Sequence, residues 1–163
     1  MAVSPGIPVR RDEMPPGGPS WHDGMVDDVR LGYGPEGMFT LDDPQRSDDG
    51  ELWSVVATLE VEGLRATKRV SVHYATYMDE LIAYLHDLAE HWQGWNSAKT
   101  YQSLEGDLTL NARHDGSGHV VLDVELKRNH PPNEWSAKGQ IVTDPGAQMA
   151  EAAAAHVVLA RLP

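Results

Sequence analysis

Hydrophobic and polar residues alternate along much of the chain, in segments separated by glycine, proline and aspartate. A period of two places successive side chains on opposite faces of a strand. One buried face and one solvated face per strand are typical of an antiparallel sheet. The pattern predicts extended segments at residues 27–33, 37–43, 52–63, 64–74, 101–106, 107–113, 119–128 and 135–143.

The period changes to that of a helix over residues 76–95. The apolar residues there follow i, i+3, i+4 and i+7 spacing, which predicts one buried stripe along a helix. Thr76 with Asp79 resembles a capping box, and Gly94 is a typical stop. A second helix is predicted after Asp144, which would be its N-cap, with Pro145 in the first turn. The predicted stripe of the first helix contains Met78, Leu81, Ile82, Leu85, Leu88, Ala89 and Trp92.

The order strands, helix, strands, helix predicts an α+β fold. We expect a largely antiparallel sheet with two helices packed on one face. Residues 1–20 contain five prolines and three glycines, so they are predicted to form a disordered arm. Residues 21–163 are predicted to form a single domain, in agreement with the usual domain size.

Charge narrows the range of partners. The chain has 13 Lys and Arg against 25 Asp and Glu, a net charge of −12, and 13 of the acids lie in residues 1–63. Phosphate backbones require clustered cations, so direct nucleic-acid binding is not expected, whereas a basic protein partner is. No apolar run reaches the roughly 18 residues that span a bilayer. The absence of cysteine excludes disulfides and thiol catalysis and suits a cytoplasmic protein.

The segment from Ala112 to Leu122 places His114, Asp115 and His119 around two glycines. Strand parity puts the two histidines on opposite faces of a hairpin, and ligands of one metal ion must converge within about 2.1 Å of it. A tight hairpin loop therefore explains the segment best, and no cofactor is predicted. A bulge at the glycines would rotate one ring, so a metal site formed by these three residues is the alternative.

Two further groups are candidates for binding. Trp92, Trp95 and Tyr101 surround the junction between the first helix and the next strand, where large aromatics seal a core edge or anchor an interface. Glu105 and Asp107 share one strand parity, so their carboxylates could lie close together. We take these five residues as the candidate binding set, and no catalytic residues are assigned.

Part of the chain resembles a bacterial family of uncharacterised proteins. The features that carry this resemblance are the stretch W-x-G-W at residues 92–95, the segment 101–126, a predicted strand that begins with Trp135, and a predicted helix that begins with Asp-Pro-Gly. The resemblance covers about residues 52–162. The family is loosely similar to immunity proteins that partner cell-wall-associated toxins. The resemblance implies a cytosolic α+β domain that binds and blocks a toxin, and it implies no catalytic residues.

Together these observations favour a non-enzymatic, acidic binding protein of the immunity type. The first alternative is a metal-dependent hydrolase that uses His114, Asp115 and His119. The second is a structural or assembly accessory subunit that docks through the proline-rich arm.

Overall fold

The computed structural model describes residues 28–72 and 79–146, together with Met149, Glu151 and Ala152. This part of the chain contains eight strands and one complete α-helix, α1 (Asp79–Glu90). The strands are β1 (Val29–Gly32), β2 (Met38–Arg46), β3 (Leu52–Val61), β4 (Leu64–Ser71), β5 (Lys99–Gln102), β6 (Leu108–His114), β7 (Val120–Arg128) and β8 (Trp135–Thr143). None of the helices in these residues has the length and hydrophobicity needed to cross a membrane.

The strands form two antiparallel sheets of four strands each, in the orders β1-β2-β3-β4 and β5-β6-β7-β8. Each strand pairs with its neighbour in sequence, so each sheet is a meander. We call them the first sheet and the second sheet. In the second sheet the register is regular, with Leu110 opposite Val124 and Val124 opposite Gly139. Between β2 and β3 the register shifts after Asp42, where Asp43 has a φ of 46°.

The predicted α+β class is wrong. The described residues are mostly β, with two sheets in place of one and a single complete α-helix that follows β4 and precedes β5. Two sheets that each have one apolar face can bury these faces against each other, so one sheet does not need two helices as a cover. Of the predicted second helix, Met149, Glu151 and Ala152 are helical. Asp144, Pro145 and Gly146, where this helix was predicted to begin, lie in a non-helical turn. The other residues of the predicted helix, and the predicted arm at residues 1–20, lie outside the described residues.

One hydrophobic core contains residues from both sheets and from α1. The inward positions of β7 alternate with its outward ones and are at most 1% exposed. In α1 the buried residues include Leu81, Leu85 and Leu88 of the predicted stripe, whereas Trp92 lies beyond the helix and is 56% exposed. The Tyr84 hydroxyl donates a hydrogen bond to the Lys99 carbonyl at 3.2 Å, which ties α1 to β5.

Gly139 marks a close approach between the two sheets. A Cβ atom at this position would lie 3.0 Å from Leu59 Cδ2 and 3.2 Å from Val61 Cγ2. Leu59 is fully buried and therefore has little room to move. The absence of a side chain at residue 139 allows β3 to pack against β8.

An ion pair joins the first sheet to the turn before β6. The Lys68 ammonium lies 2.9 Å from Asp107 Oδ2, and the two side chains are 23% and 6% exposed. The Ser103 hydroxyl donates to Asp107 Oδ1 at 2.6 Å and accepts from the Leu108 N–H at 3.0 Å. Asp107 is therefore held inside the protein by Lys68 of the first sheet and by Ser103 of its own turn.

We expect Gly139→Val to lower the free energy of unfolding by about 1–3 kcal/mol, because overpacking of a filled core costs about this much. Chemical denaturation of the two proteins measures the difference. Val142→Thr is the matched control, since residue 142 is on the same strand and 41% exposed, and it should change stability by less than about 0.5 kcal/mol. Equal stabilities of Gly139→Val and the wild type would contradict the close packing.

The Lys68–Asp107 pair should show coupling in a double-mutant cycle. Asp107→Asn should cost about 1.5–3 kcal/mol, because it leaves a mostly buried ammonium without its counter-ion. Lys68→Met in the Asp107→Asn background should recover part of this loss. The same cycle on the exposed pair Arg65–Glu60, at 3.7 Å, serves as control and should give less than about 1 kcal/mol. Additive effects at residues 68 and 107 would refute the coupling.

Candidate functional site: a polar groove on the second sheet

The outward face of the second sheet holds an open groove of about 530 Å³. We call it the polar groove. Its floor includes the backbone of Val124 and Gly139, since the Val124 side chain is buried in the core. The other lining residues are hydrogen-bonding residues from all four strands, namely Thr100, Thr109, Asn111, Asp123, Glu125, Lys138 and Gln140.

Strand register places these side chains in two rows across the sheet. The first row contains Asn111, Asp123 and Gln140, with Thr100 opposite Asn111 on the edge strand. The second row places Thr109 opposite Glu125, and Glu125 opposite Lys138. Side chains that face each other on paired strands are close enough to interact. The period of two in β6, β7 and β8 therefore produces both the core and the groove.

In the first row, both oxygens of Asp123 have partners. Gln140 Nε2 donates to Oδ1 at 2.7 Å, and the Arg113 guanidinium donates to Oδ2 at 2.9 Å. The Thr100 hydroxyl donates to Asn111 Oδ1 at 3.0 Å. Hydrogen bonds within the row and from Arg113 thus engage both oxygens of Asp123 and the amide oxygen of Asn111.

In the second row, the side chains have fewer hydrogen-bond partners than in the first. The Ser136 hydroxyl and the Lys138 ammonium both contact Glu125 Oε1, at 3.1 Å and 3.3 Å. Within the described residues, Glu125 Oε2 has no hydrogen-bond or ion-pair partner within reach. The Glu125 side chain is 25% exposed, whereas that of Lys138 is 71% exposed. Glu125 is thus a fixed carboxylate with one available oxygen, beside a cation that extends into water.

The hairpin between β6 and β7 uses Asp115 as its central acceptor. Asp115 Oδ1 accepts the backbone N–H groups of Ser117 and His119 at 2.7 Å and 3.0 Å. Oδ2 accepts the Ser117 hydroxyl at 2.6 Å and lies 3.3 Å from His119 Nδ1. The hydroxyl and amide of Ser117 and the amide of His119 hold the pKa of Asp115 well below its usual range. The Asp115 carboxylate therefore stabilises the hairpin loop.

His114 has different partners from His119. Its Nδ1 accepts the Gly116 N–H at 3.0 Å, so its Nε2 carries the proton that is donated to the Trp92 carbonyl at 3.2 Å. The ring also packs against Gly94, where a Cβ atom would lie 3.3 Å from Nδ1. Within the described residues, no group of three or more His, Asp or Glu side chains is arranged to hold a metal ion.

The three candidate aromatics have unequal exposure. Trp92 is exposed, while Trp95 is partly buried between His114, at 5.4 Å in a T-shaped arrangement, and the Lys99 ammonium, 5.1 Å from the ring centroid. Trp95 Nε1 is buried without a hydrogen-bond partner in the described part of the chain. Tyr101 packs against Tyr84 at 5.9 Å, and burial raises its pKa to about 12, assisted by the negative charges of Glu80 and Asp107. Tyr101 thus joins the second sheet to α1, and Trp95 joins the second sheet to the loop that follows α1.

The two candidate carboxylates do not face each other as a pair. Both lie in the turn between β5 and β6, where Glu105 is exposed with His130 Nε2 at 3.9 Å. Asp107 is buried in its ion pair with Lys68.

The residues of the polar groove were not predicted from the sequence, because no motif links them. The available signal was the polar parity of three successive strands, with carboxylates at Asp123 and Glu125.

The depressed pKa of Asp115 gives a test of the hairpin by pH. Because the folded pKa lies below the ordinary value of 3.8, the stabilisation by this carboxylate is complete above about pH 4 and is lost as the pH falls through the folded pKa. NMR titration of the Ser117 and His119 amides should give a midpoint below 3.8. Ser117→Ala removes the main cause and should raise the midpoint. A wild-type midpoint at or above 3.8 would contradict the geometry.

Comparison with known proteins places the chain in a family. No curated protein and no solved structure gives a significant match to it. A family model does match over residues 32–160, which include β2 to β8 and α1. The match covers most of the chain, and it therefore contains strands β2 to β4 of the first sheet, the whole second sheet and every residue of the polar groove. The protein belongs to DUF6228, a family of unknown function.

Proposed function

We propose that the protein is a binding protein without enzymatic activity, which blocks a toxin by direct contact in the manner of an immunity protein. The observation that carries this proposal is the polar groove, an open surface with hydrogen-bonding side chains from four strands. Glu125 keeps an available carboxylate oxygen there, and the Asn111 amide nitrogen has no hydrogen-bond partner within the described residues. Such groups favour a partner that presents both donors and acceptors, as a protein surface does.

The charge of the chain supports a basic partner. A net charge of −12 produces a field that accelerates the encounter with a cationic protein and depends on ionic strength. Within the groove, Asp123 and Glu125 are balanced by Arg113 and Lys138. The field of the whole protein would therefore attract the partner, while the groove would supply the directional contacts.

The geometry favours this function over a hydrolase centred on the hairpin. Both oxygens of Asp115 are engaged by groups of its own loop, and His114 is bonded to Gly116 and Trp92. These side chains already have structural partners, so nothing in their arrangement favours acid–base work at a substrate.

The test is co-expression of the protein with the product of the adjacent gene. We expect relief of toxicity and a complex that survives purification. Glu125→Gln should weaken the complex by at least about tenfold, because a charge-assisted contact contributes about 1.5–3 kcal/mol. The measurement is calorimetric titration of the purified partners.

Glu60→Gln is the matched control, since Glu60 is also a strand carboxylate paired with a cation, but it lies on the first sheet. It should leave affinity and protection unchanged. Melting temperatures of all variants must match the wild type. Absence of both a complex and relief of toxicity would refute the immunity function.

A further inference from the structure

We infer that the polar groove binds an arginine side chain of the protein partner, with the guanidinium taking the place of Lys138 at Glu125. This inference deepens the proposed function and rests on it for the nature of the partner. The first observation that supports it is the set of contacts made by the Glu125 carboxylate. Its Oε1 atom contacts both Ser136 and Lys138, so its Oε2 atom can accept a further donor.

Lys138 is a replaceable partner. Its ammonium is 3.3 Å from Glu125 Oε1, and its side chain is 71% exposed. An exposed ion pair of this kind is weak, because solvent screens it and because holding a long side chain costs entropy. Glu125, in contrast, is mostly buried between its neighbours and has little conformational freedom left to lose on binding. A cation from a partner can therefore displace Lys138 into water, which leaves the local charge of the groove unchanged.

The shape of the groove favours guanidinium over ammonium. A guanidinium is planar and presents paired N–H groups that match the two oxygens of a carboxylate, while an ammonium is a compact, strongly hydrated charge. The floor beside Glu125 is the backbone of Val124 and Gly139, from which no side chain projects outward, so a planar group can lie on it. Asp123, two residues away on the same face and about 7 Å distant along the strand, adds negative potential.

The same face already holds one arginine in this way. The Arg113 guanidinium donates to Asp123 Oδ2 at 2.9 Å from the neighbouring strand. Arg113 reaches Asp123 diagonally, since it stands opposite Val121, and the corresponding diagonal position beside Glu125 is occupied by the uncharged Asn111, with Thr109 directly opposite. Thr109 is too short to cover the carboxylate, which leaves the space that a partner's arginine would fill.

The experiment uses the full chain and the peptide acetyl-Gly-Arg-Gly-amide, observed by NMR chemical-shift titration at low salt. The lysine peptide acetyl-Gly-Lys-Gly-amide is the parallel probe. We expect the arginine peptide to shift the amides of Thr109, Val124 and Glu125, and to bind more tightly than the lysine peptide. Glu125→Gln should weaken binding at least about tenfold, since it removes the charge from the main acceptor. Lys138→Ala should tighten binding by up to about fivefold, since it removes the competing cation.

Glu60→Gln is again the control and should leave the titration unchanged. Equal affinity for both peptides, unchanged binding by Glu125→Gln, or weaker binding by Lys138→Ala would each overturn the inference.

The result of this experiment can be distinguished from a failure of the proposed function. If the adjacent gene product is neutralised but Glu125→Gln has no effect, the arginine site is wrong and the immunity function stands. If the peptide binds as expected but no toxin is neutralised, the site stands and the immunity function is wrong.

Discussion

Burial of two apolar sheet faces against each other is the constraint on which this structure depends. Each meander has one face of mostly Leu and Val side chains, with Phe39 in the first sheet and Ile141 in the second, and burial of these faces removes apolar surface from water. Close contact requires that β3 and β8 approach without an intervening side chain, which Gly139 permits. Once the inward positions of β6, β7 and β8 are committed to the core, the alternation of the strands leaves polar residues for the outward face.

The charged groups divide into those that hold the fold and those that remain on a surface. Asp107, Asp115 and Lys68 are held by specific hydrogen bonds or ion pairs at turns and at the contact between sheets. On the groove face, hydrogen bonds run laterally between strands, and Glu125 keeps one oxygen available. A surface that is organised internally but not fully satisfied is suited to binding, because little order must be created when a partner arrives.

Local pattern was sufficient to predict the elements but not their assembly. Seven of the strands and α1 lie at or near the segments that the alternation of period two and the helical stripe predicted, although α1 ends at Glu90, before the predicted stop at Gly94. The exception is β5, which shares only residues 101 and 102 with the segment predicted at 101–106. The error was the assignment of all strands to one sheet. Alternation identifies which face of a strand is buried, but it does not identify what covers that face, and a second sheet serves as well as a helix.

The candidate site was harder to predict for a related reason. Histidines, tryptophans and paired carboxylates attract attention as chemical motifs, yet Trp95, His114 and Asp107 hold loops and strands together here. The groove residues are common polar residues between positions 100 and 140, and only the register of four strands brings them together. In the sequence, the groove residues are marked only by polar side chains at every second position of each strand. The same pattern occurs on any sheet face that is exposed to solvent.

The alternation of β7 separates core positions from groove positions within a single strand. Val124 lies in the core and pairs with Gly139 at the contact between the sheets, while Glu125, the next residue, lies in the groove. Replacing an inward residue changes packing, whereas replacing an outward one changes only the lateral hydrogen bonds and the contacts open to a partner. Members of one family that keep the inward set could therefore differ at positions 123, 125, 138 and 140 without loss of the fold. The outward surface of such a domain can change while its core stays the same, because the two sets of side chains have no positions in common.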